Sequence, residues 1–214
     1  MIRLLSLADV FTILNLVFGF LAVVMAGNIR FAVSLVLLAV LSDGLDGVVA
    51  RRNRNGMLGE YMDVGADLVS FCVAPTVILY RSILFSNGLT EIAVIACSTV
   101  FVVSGFIRLA SFPIMKSRDF FVGLPTPAAG LIISLLVFIK TGVFYLMVVL
   151  VLLSFLMLIN IRFPKPDVKV GSIAAILILL VIVFGDYWCN LMPFLLLFSL
   201  IVYIIWGFLL FFKK

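Results

Sequence analysis

Apolar runs close to twenty residues long follow one another along almost the whole chain, near 9–27, 30–51, 60–80, 90–112, 125–140, 142–162, 170–185 and 188–212, separated by charged or Gly/Pro punctuation. A helix needs about 20 predominantly apolar residues to cross a bilayer. Runs of this length and number have no place in a water-soluble core. With 65% of its 214 residues hydrophobic and 12% charged, the chain lies far from the roughly 45–50% apolar and about 25% charged of soluble domains. The expected fold is an all-α polytopic membrane protein of about eight transmembrane helices, forming one domain over 1–214. The fifth and seventh runs are short, so a count of six or seven would follow if either merged with a neighbour or re-entered.

Charge supports the count of eight. Lys and Arg collect on the cytoplasmic side of short loops. With eight spans and a cytoplasmic N-terminus, Arg3, Arg51, Arg52, Arg54, Arg108, Lys116, Arg118, Arg162, Lys165, Lys169, Lys213 and Lys214 share one side, and only Arg30, Arg81 and Lys140 fall on the other. Both termini are therefore expected in the cytoplasm, and no nucleic-acid partner is expected. The first run has the outline of a secretory leader, with Arg3 before it and Val24-Met25-Ala26 near its end. It also contains Asp9, Thr12 and Asn15, for which a cleaved segment has no use, and is read as a span. Cys72, Cys97 and Cys189 lie in apolar runs at spacings that fit neither a disulfide framework nor a metal site, and are read as buried free thiols. No histidine is present, so zinc-type clusters and imidazole proton shuttles are excluded.

One stretch breaks the apolar pattern. Residues 41–67, at the junction of the second and third runs, hold four aspartates, three arginines and several glycines. An ionisable side chain at membrane depth is a functional hypothesis by default. Asp43 and Asp46 are three residues apart and Asp63 and Asp67 four apart, so on helices each pair shares a face. Two facing helices would direct four carboxylates at one point, where their mutual repulsion calls for a compensating cation. Oxygen-only ligands select a hard ion, Mg²⁺ or Mn²⁺ with Ca²⁺ as competitor. Four carboxylates can hold two such ions, an arrangement suited to displacement at phosphorus. Gly44, Gly47 and Gly59 remove side chains where a ligand must come close, and Arg51 can offer a planar donor fork to phosphate. Arg52 and Arg54 are accounted for by the positive-inside rule alone.

Asp43-Gly-Leu-Asp46-Gly47-Val-Val-Ala50-Arg51 followed by Gly59-x-x-x-Asp63-x-x-x-Asp67 resembles the signature of the CDP-alcohol phosphotransferases, DxxDGxxAR…GxxxDxxxD, at every fixed position. Val69–Pro75, Phe121–Ala129, Thr12-x-x-Asn15 and Arg108-Leu109-Ala110 look like the branch that makes phosphatidylserine or archaetidylserine. The resemblance covers roughly residues 6–130. It implies a metal held by Asp43, Asp46 and Asp63, a second held or adjoined by Asp43, Asp63 and Asp67, and Asp67 as general base. It further implies that Asp46, Gly47, Arg51 and Gly59 bind the CDP-lipid, that Asp9, Thr12 and Asn15 line the nucleotide pocket, and that the protein is a homodimer. The acceptor implied is L-serine, with inositol phosphate or glycerol phosphate as alternatives, and the lipid is diacyl or archaeol. Arg108, Lys116 and Arg118 are candidates for the acceptor's carboxylate. Two positions depart from the pattern. The loop between Arg51 and Gly59 is seven residues long and carries no hydroxyl, and Ser111 stands where serine synthases often have a second arginine. A different class of reading, a cation or proton transporter using the aspartates as an ion path, would require polar residues through several helices, whereas the later runs are nearly featureless.

Overall fold

Between Val10 and Asn28 no charged residue interrupts the apolar sequence, and this segment forms the first helix, α1 (Leu7–Val24). The chain turns at Gly27-Asn28. Asn28 then caps the next helix, its side-chain oxygen accepting the Phe31 N–H at 3.2 Å. Helix α2 (Ile29–Ala50) runs back along α1. The third rod is composite: α3 (Met57–Asp67), a π-helical stretch over Leu68–Val73, and α4 (Ala74–Ser82) follow without a break. Helices α5 (Gly88–Met115), α6 (Thr126–Phe138), α7 (Val143–Leu158), α8 (Val168–Phe184) and α9 (Leu191–Phe212) complete the bundle. The computed structural model describes residues 7–50, 57–83, 88–115, 120–164, 168–185 and 190–212. Of these, the side chains at 7, 8, 47–50, 57, 58, 112–115, 168, 169, 211 and 212 lie outside the description.

Among the described residues the helices form eight rods that coincide with the eight apolar runs, and α6 and α8 remain separate helices rather than merging with neighbours. Three segments, 59–82, 88–111 and 191–210, are long and apolar enough to cross a membrane, and shorter apolar helices accompany them. The sequence reading contains no strand, yet β1 (Phe120–Val122) and β2 (Arg162–Pro164) pair antiparallel, Phe121 opposite Phe163. Gly123 follows at φ 74°. Its N–H bonds the Ile161 carbonyl at 2.9 Å, and the next N–H, of Leu124, bonds the Leu156 carbonyl at 3.0 Å. This clip ties the entry of α6 to the end of α7.

Helix α6 is the centre of the bundle. Ten of its thirteen residues are buried, packed against α2, α4, α7 and the π-helical stretch. Lipid tails are as apolar as Leu, so helices in a bilayer associate through close packing and interhelical hydrogen bonds rather than through exclusion of water. Three hydroxyls inside the bundle, of Ser42, Ser134 and Ser154, are satisfied locally, donating to the carbonyls four residues earlier, of Leu38, Gly130 and Leu150. Cys72 and Cys97 are free thiols, the first buried and the second only half-buried; Cys189 lies outside the described residues.

Candidate active site

Four of the eight rods bring polar side chains to one end of the bundle. The last turns of α2 carry Asp43 and Asp46, α3 carries Asp63 and Asp67, α1 contributes Asp9, Thr12 and Asn15 from its start, and α5 contributes Arg108 from near its end. The spacings read from the sequence do put each aspartate pair on one face, and the two faces meet. One carboxylate oxygen from each of Asp43, Asp46 and Asp63 lies within 4.8 Å of the others. Hard cations take oxygen ligands at about 2.0–2.6 Å. Oxygens on opposite sides of such an ion stand about 4–5 Å apart, so the three side chains fit a divalent cation between them. Asp67, the most deeply buried of the four, is within electrostatic reach of both Asp43 and Asp63.

Helix α1 holds this cluster from both sides. Thr12 and Asn15 are fully or almost fully buried and stand one turn apart, so each reaches a different acidic helix. Thr12 Oγ1 donates to Asp46 Oδ2 at 3.0 Å, on α2, and Asn15 Nδ2 donates to Asp67 Oδ1 at 3.0 Å, on α3. Ser70 closes the loop by donating to the Asn15 carbonyl at 2.9 Å. Asp9 is buried against Gly59, where an added Cβ would come within 2.8 Å of Asp9 Oδ1. A side chain at 59 would therefore make the Asp9 carboxylate shift. Around Gly44, in contrast, a Cβ would meet no atom of the described residues within 4 Å, which leaves open space among them beside Asp43.

Arg108 brings a positive charge to the acidic pairs from another helix. Its guanidinium is buried, lies close enough to Asp67 and Asp43 to feel their charge, and donates through Nη1 to Thr126 Oγ1 at 3.0 Å. Its Nε is buried with no hydrogen-bond partner among the described residues. Thr126 opens α6 directly after the Gly123–Pro125 turn, so the β-clip fixes where this contact falls. Tyr203 of α9 also lies within electrostatic reach of Arg108 and donates to the Pro164 carbonyl at 3.2 Å, linking the last helix to the clip. Arg51, Lys116 and Arg118 lie outside the described residues, as do the surroundings of Gly47 in the final turn of α2.

The structure therefore joins the four aspartates, Asp9, Thr12, Asn15, Gly59 and Arg108 in one site. It adds Ser70, Thr126 and Tyr203, which the sequence reading did not single out. Thr126 lies inside the Phe121–Ala129 motif, but nothing in a motif says which of its residues turns toward an arginine eighteen positions upstream.

Comparison with known proteins agrees with this chemistry. Residues 5–210 match the family described as CDP-alcohol phosphatidyltransferase. The chain is 31% identical over 169 residues to the CDP-diacylglycerol–serine O-phosphatidyltransferase of Methanocaldococcus jannaschii, covering 78% of each chain. It is 33% identical over 171 residues to the Helicobacter pylori (strain 26695) protein of the same name, covering 73% of this chain and 71% of that one. It is also 33% identical over 175 residues to the archaetidylserine synthase of Methanothermobacter thermautotrophicus, covering 76% and 71%. With a match that runs almost from end to end and an acidic site assembled from the family's own signature positions, the chain belongs to the CDP-alcohol phosphatidyltransferase family.

Proposed function

We propose that this chain is an integral membrane enzyme that moves the phosphatidyl-type group of a CDP-lipid onto L-serine and releases CMP. The observation that carries the reading is the triad of carboxylate oxygens within 4.8 Å, flanked by Asp67 on its Asn15 tether and by buried Arg108. Relatives named for serine transfer, from archaea and bacteria alike, support serine over inositol phosphate or glycerol phosphate as acceptor. Membership of this family leaves the ion-transporter reading without support. The bundle crosses the bilayer eight times with both termini and the site on the cytoplasmic side, in keeping with the distribution of Lys and Arg.

Asp43, Asp46 and Asp63 would hold one Mg²⁺ or Mn²⁺, and Asp67 together with Asp43 and Asp63 a second. When bound, such ions neutralise charge on diphosphate oxygens and on the departing phosphate. Asp67 accepts the proton of the serine hydroxyl, and the Asn15 amide on its Oδ1 fixes the direction in which the carboxylate faces. The freed hydroxyl oxygen attacks the lipid-side phosphorus, the bond from that phosphorus to the bridging oxygen breaks, and CMP leaves. Arg51 stabilises charge on the leaving phosphate. Gly47, Gly59 and Asp46 shape the nucleotide end of the pocket, with Asp9, Thr12 and Asn15 behind them. Arg108 takes the serine carboxylate through its Nε, which has no partner among the described residues, and Lys116 and Arg118 draw the anion toward it.

The test is CMP release from CDP-diacylglycerol and from CDP-archaeol by the purified protein in detergent with Mg²⁺ or Mn²⁺, offering serine, inositol phosphate, glycerol phosphate or no acceptor in turn. Serine-dependent release that stops on chelation is expected. Metal-dependent release without preference for serine would overturn the acceptor, and release that survives chelation would overturn the site. The homodimer is part of this proposal and is read from the mass of the detergent-purified particle.

A further inference from the structure

The six residues after Asp67 do not continue the α-helix. Pro75 has no N–H to give the Phe71 carbonyl four residues back, and its ring would collide with that carbonyl in an unbroken helix. The backbone widens to relieve this. Ala74 N–H reaches the Val69 carbonyl, five residues back, and Thr76 Oγ1 donates to the carbonyls of Cys72 at 3.0 Å and Val73 at 2.8 Å. A π turn inserts one residue relative to the α-helical register, and one residue is about 100° of rotation. With α4 held by α2 and α6, an α-helical Leu68–Val73 would turn Asp63 and Asp67 by about that angle, away from Asp43.

The widened turn is seated on three other helices by glycines. A Cβ on Gly130 of α6 would lie 2.5 Å from the Phe71 carbonyl oxygen and 2.9 Å from its Cα. A Cβ on Gly19 of α1 would lie 2.7 Å from the Cα of Ser70 and collide with its hydroxyl, and one on Gly105 of α5 would collide with the Cys72 sulfur. Three successive residues of the turn thus each rest on a position without a side chain. Ser70 is tied in addition to the same Asn15 that holds Asp67.

We propose that the π turn, set by Pro75 and seated on Gly19, Gly105 and Gly130, aims Asp67 at the acidic cluster, and that Gly130 and Ser70 are positioning residues for the transfer step. This rests on the reading of Asp67 as the base. Misplacing a reacting group by about 1 Å can cost on the order of a hundredfold in rate, and a Cβ at Gly130 meets backbone atoms of Phe71, so it is relieved only by shifting the backbone of the turn or of α6.

The experiment is a double-mutant cycle on CMP release by the full chain in detergent, with Gly130→Ala, Asp67→Asn and both together, keeping only samples that elute as a single species. Gly130→Ala is expected to lower kcat by about ten- to a hundredfold with KM for the CDP-lipid within about twofold, and to add almost nothing in the Asp67→Asn background. A wild-type kcat, or a loss that multiplies with that of Asp67→Asn, overturns the positioning role. Full activity of Asp67→Asn alone overturns the base instead, so the two failures are separable. Should Gly130→Ala not yield folded protein, Ser70→Ala decides on the same cycle, since it removes one hydroxyl. A loss of about threefold or more in kcat that vanishes in Asp67→Asn supports the proposal, and an unchanged or multiplicative effect sinks it.

Discussion

Two apolar helical segments of this protein live in different surroundings. Residues 59–82 and residues 191–210 are each long and apolar enough to cross a bilayer, but 56% of the first window is buried within the bundle against 17% of the second. The buried rod carries two aspartates, a π turn, an in-helix proline and hydroxyls tied to other helices. Along α9, Phe198, Ile205, Trp206 and Leu209 are exposed, a surface that lipid would cover. Hydropathy alone ranks the exposed segment as the more apolar of the two. In a membrane, then, irregular backbone and charge belong where neighbouring helices can satisfy them, and departure from smooth apolarity marks the rod that does the chemistry.

The sharpest way to break that comparison is at Asp67. If the buried rod holds the base, Asp67→Asn reduces CMP release by about 10²–10⁴, the usual contribution of a general base, while the protein still elutes from detergent as the wild type does. A loss below about tenfold would mean that another group takes the proton. The next largest effect is expected from the residues that hold the acids from α1. Partners that orient metal ligands typically contribute about 10–100-fold in metal affinity or activity. Thr12→Val keeps the shape and removes the hydrogen bond to Asp46. It should raise the Mg²⁺ or Mn²⁺ concentration for half-maximal CMP release by about that factor, with the maximal rate recovered at saturating metal. An unchanged metal requirement would reduce Thr12 to a packing residue.

Much of this organisation could be read in the residues. The eight rods follow the apolar runs, because a bilayer leaves helices few alternatives, and the spacings of three and four placed both aspartate pairs on faces that meet. What could not be read depends on partners distant in the chain. Thr12 finds Asp46 thirty-four positions away, and Asn15 was as consistent with lining a nucleotide pocket as with tethering Asp67. The π turn escaped because Leu68–Val73 is apolar in every position but Ser70, so hydrophobic period gives no sign of a changed hydrogen-bond register. Pro75 was its one local signal, legible only as a disturbance. The β-clip escaped for the opposite reason: strands of three residues are too short for period-two alternation to show. Arg108 stood out through the Arg108-Leu109-Ala110 match, but its contact with Thr126 depends on the clip.

The smallest effect is expected on α9, and it is the one that tests whether exposure there means contact with lipid. Phe198 and Leu209 are 65% and 63% exposed. Truncating a buried Phe or Leu leaves a cavity, with losses of about 2–5 kcal/mol in soluble cores, because the surrounding side chains relax only in part. At a lipid-facing position the acyl chains flow into the space, so lipid restores the dispersion attraction that the shortened side chain gives up. Phe198→Ala and Leu209→Ala should therefore leave kcat, KM and the midpoint of thermal aggregation in detergent close to wild type, whereas Phe71→Ala, at a fully buried position of the π turn, should lower that midpoint clearly. If either α9 variant proved as damaging as Phe71→Ala, that face of α9 would be covered by protein rather than lipid. A shift from dimer to monomer mass in the same variant would then identify the covering surface as a second copy of the chain.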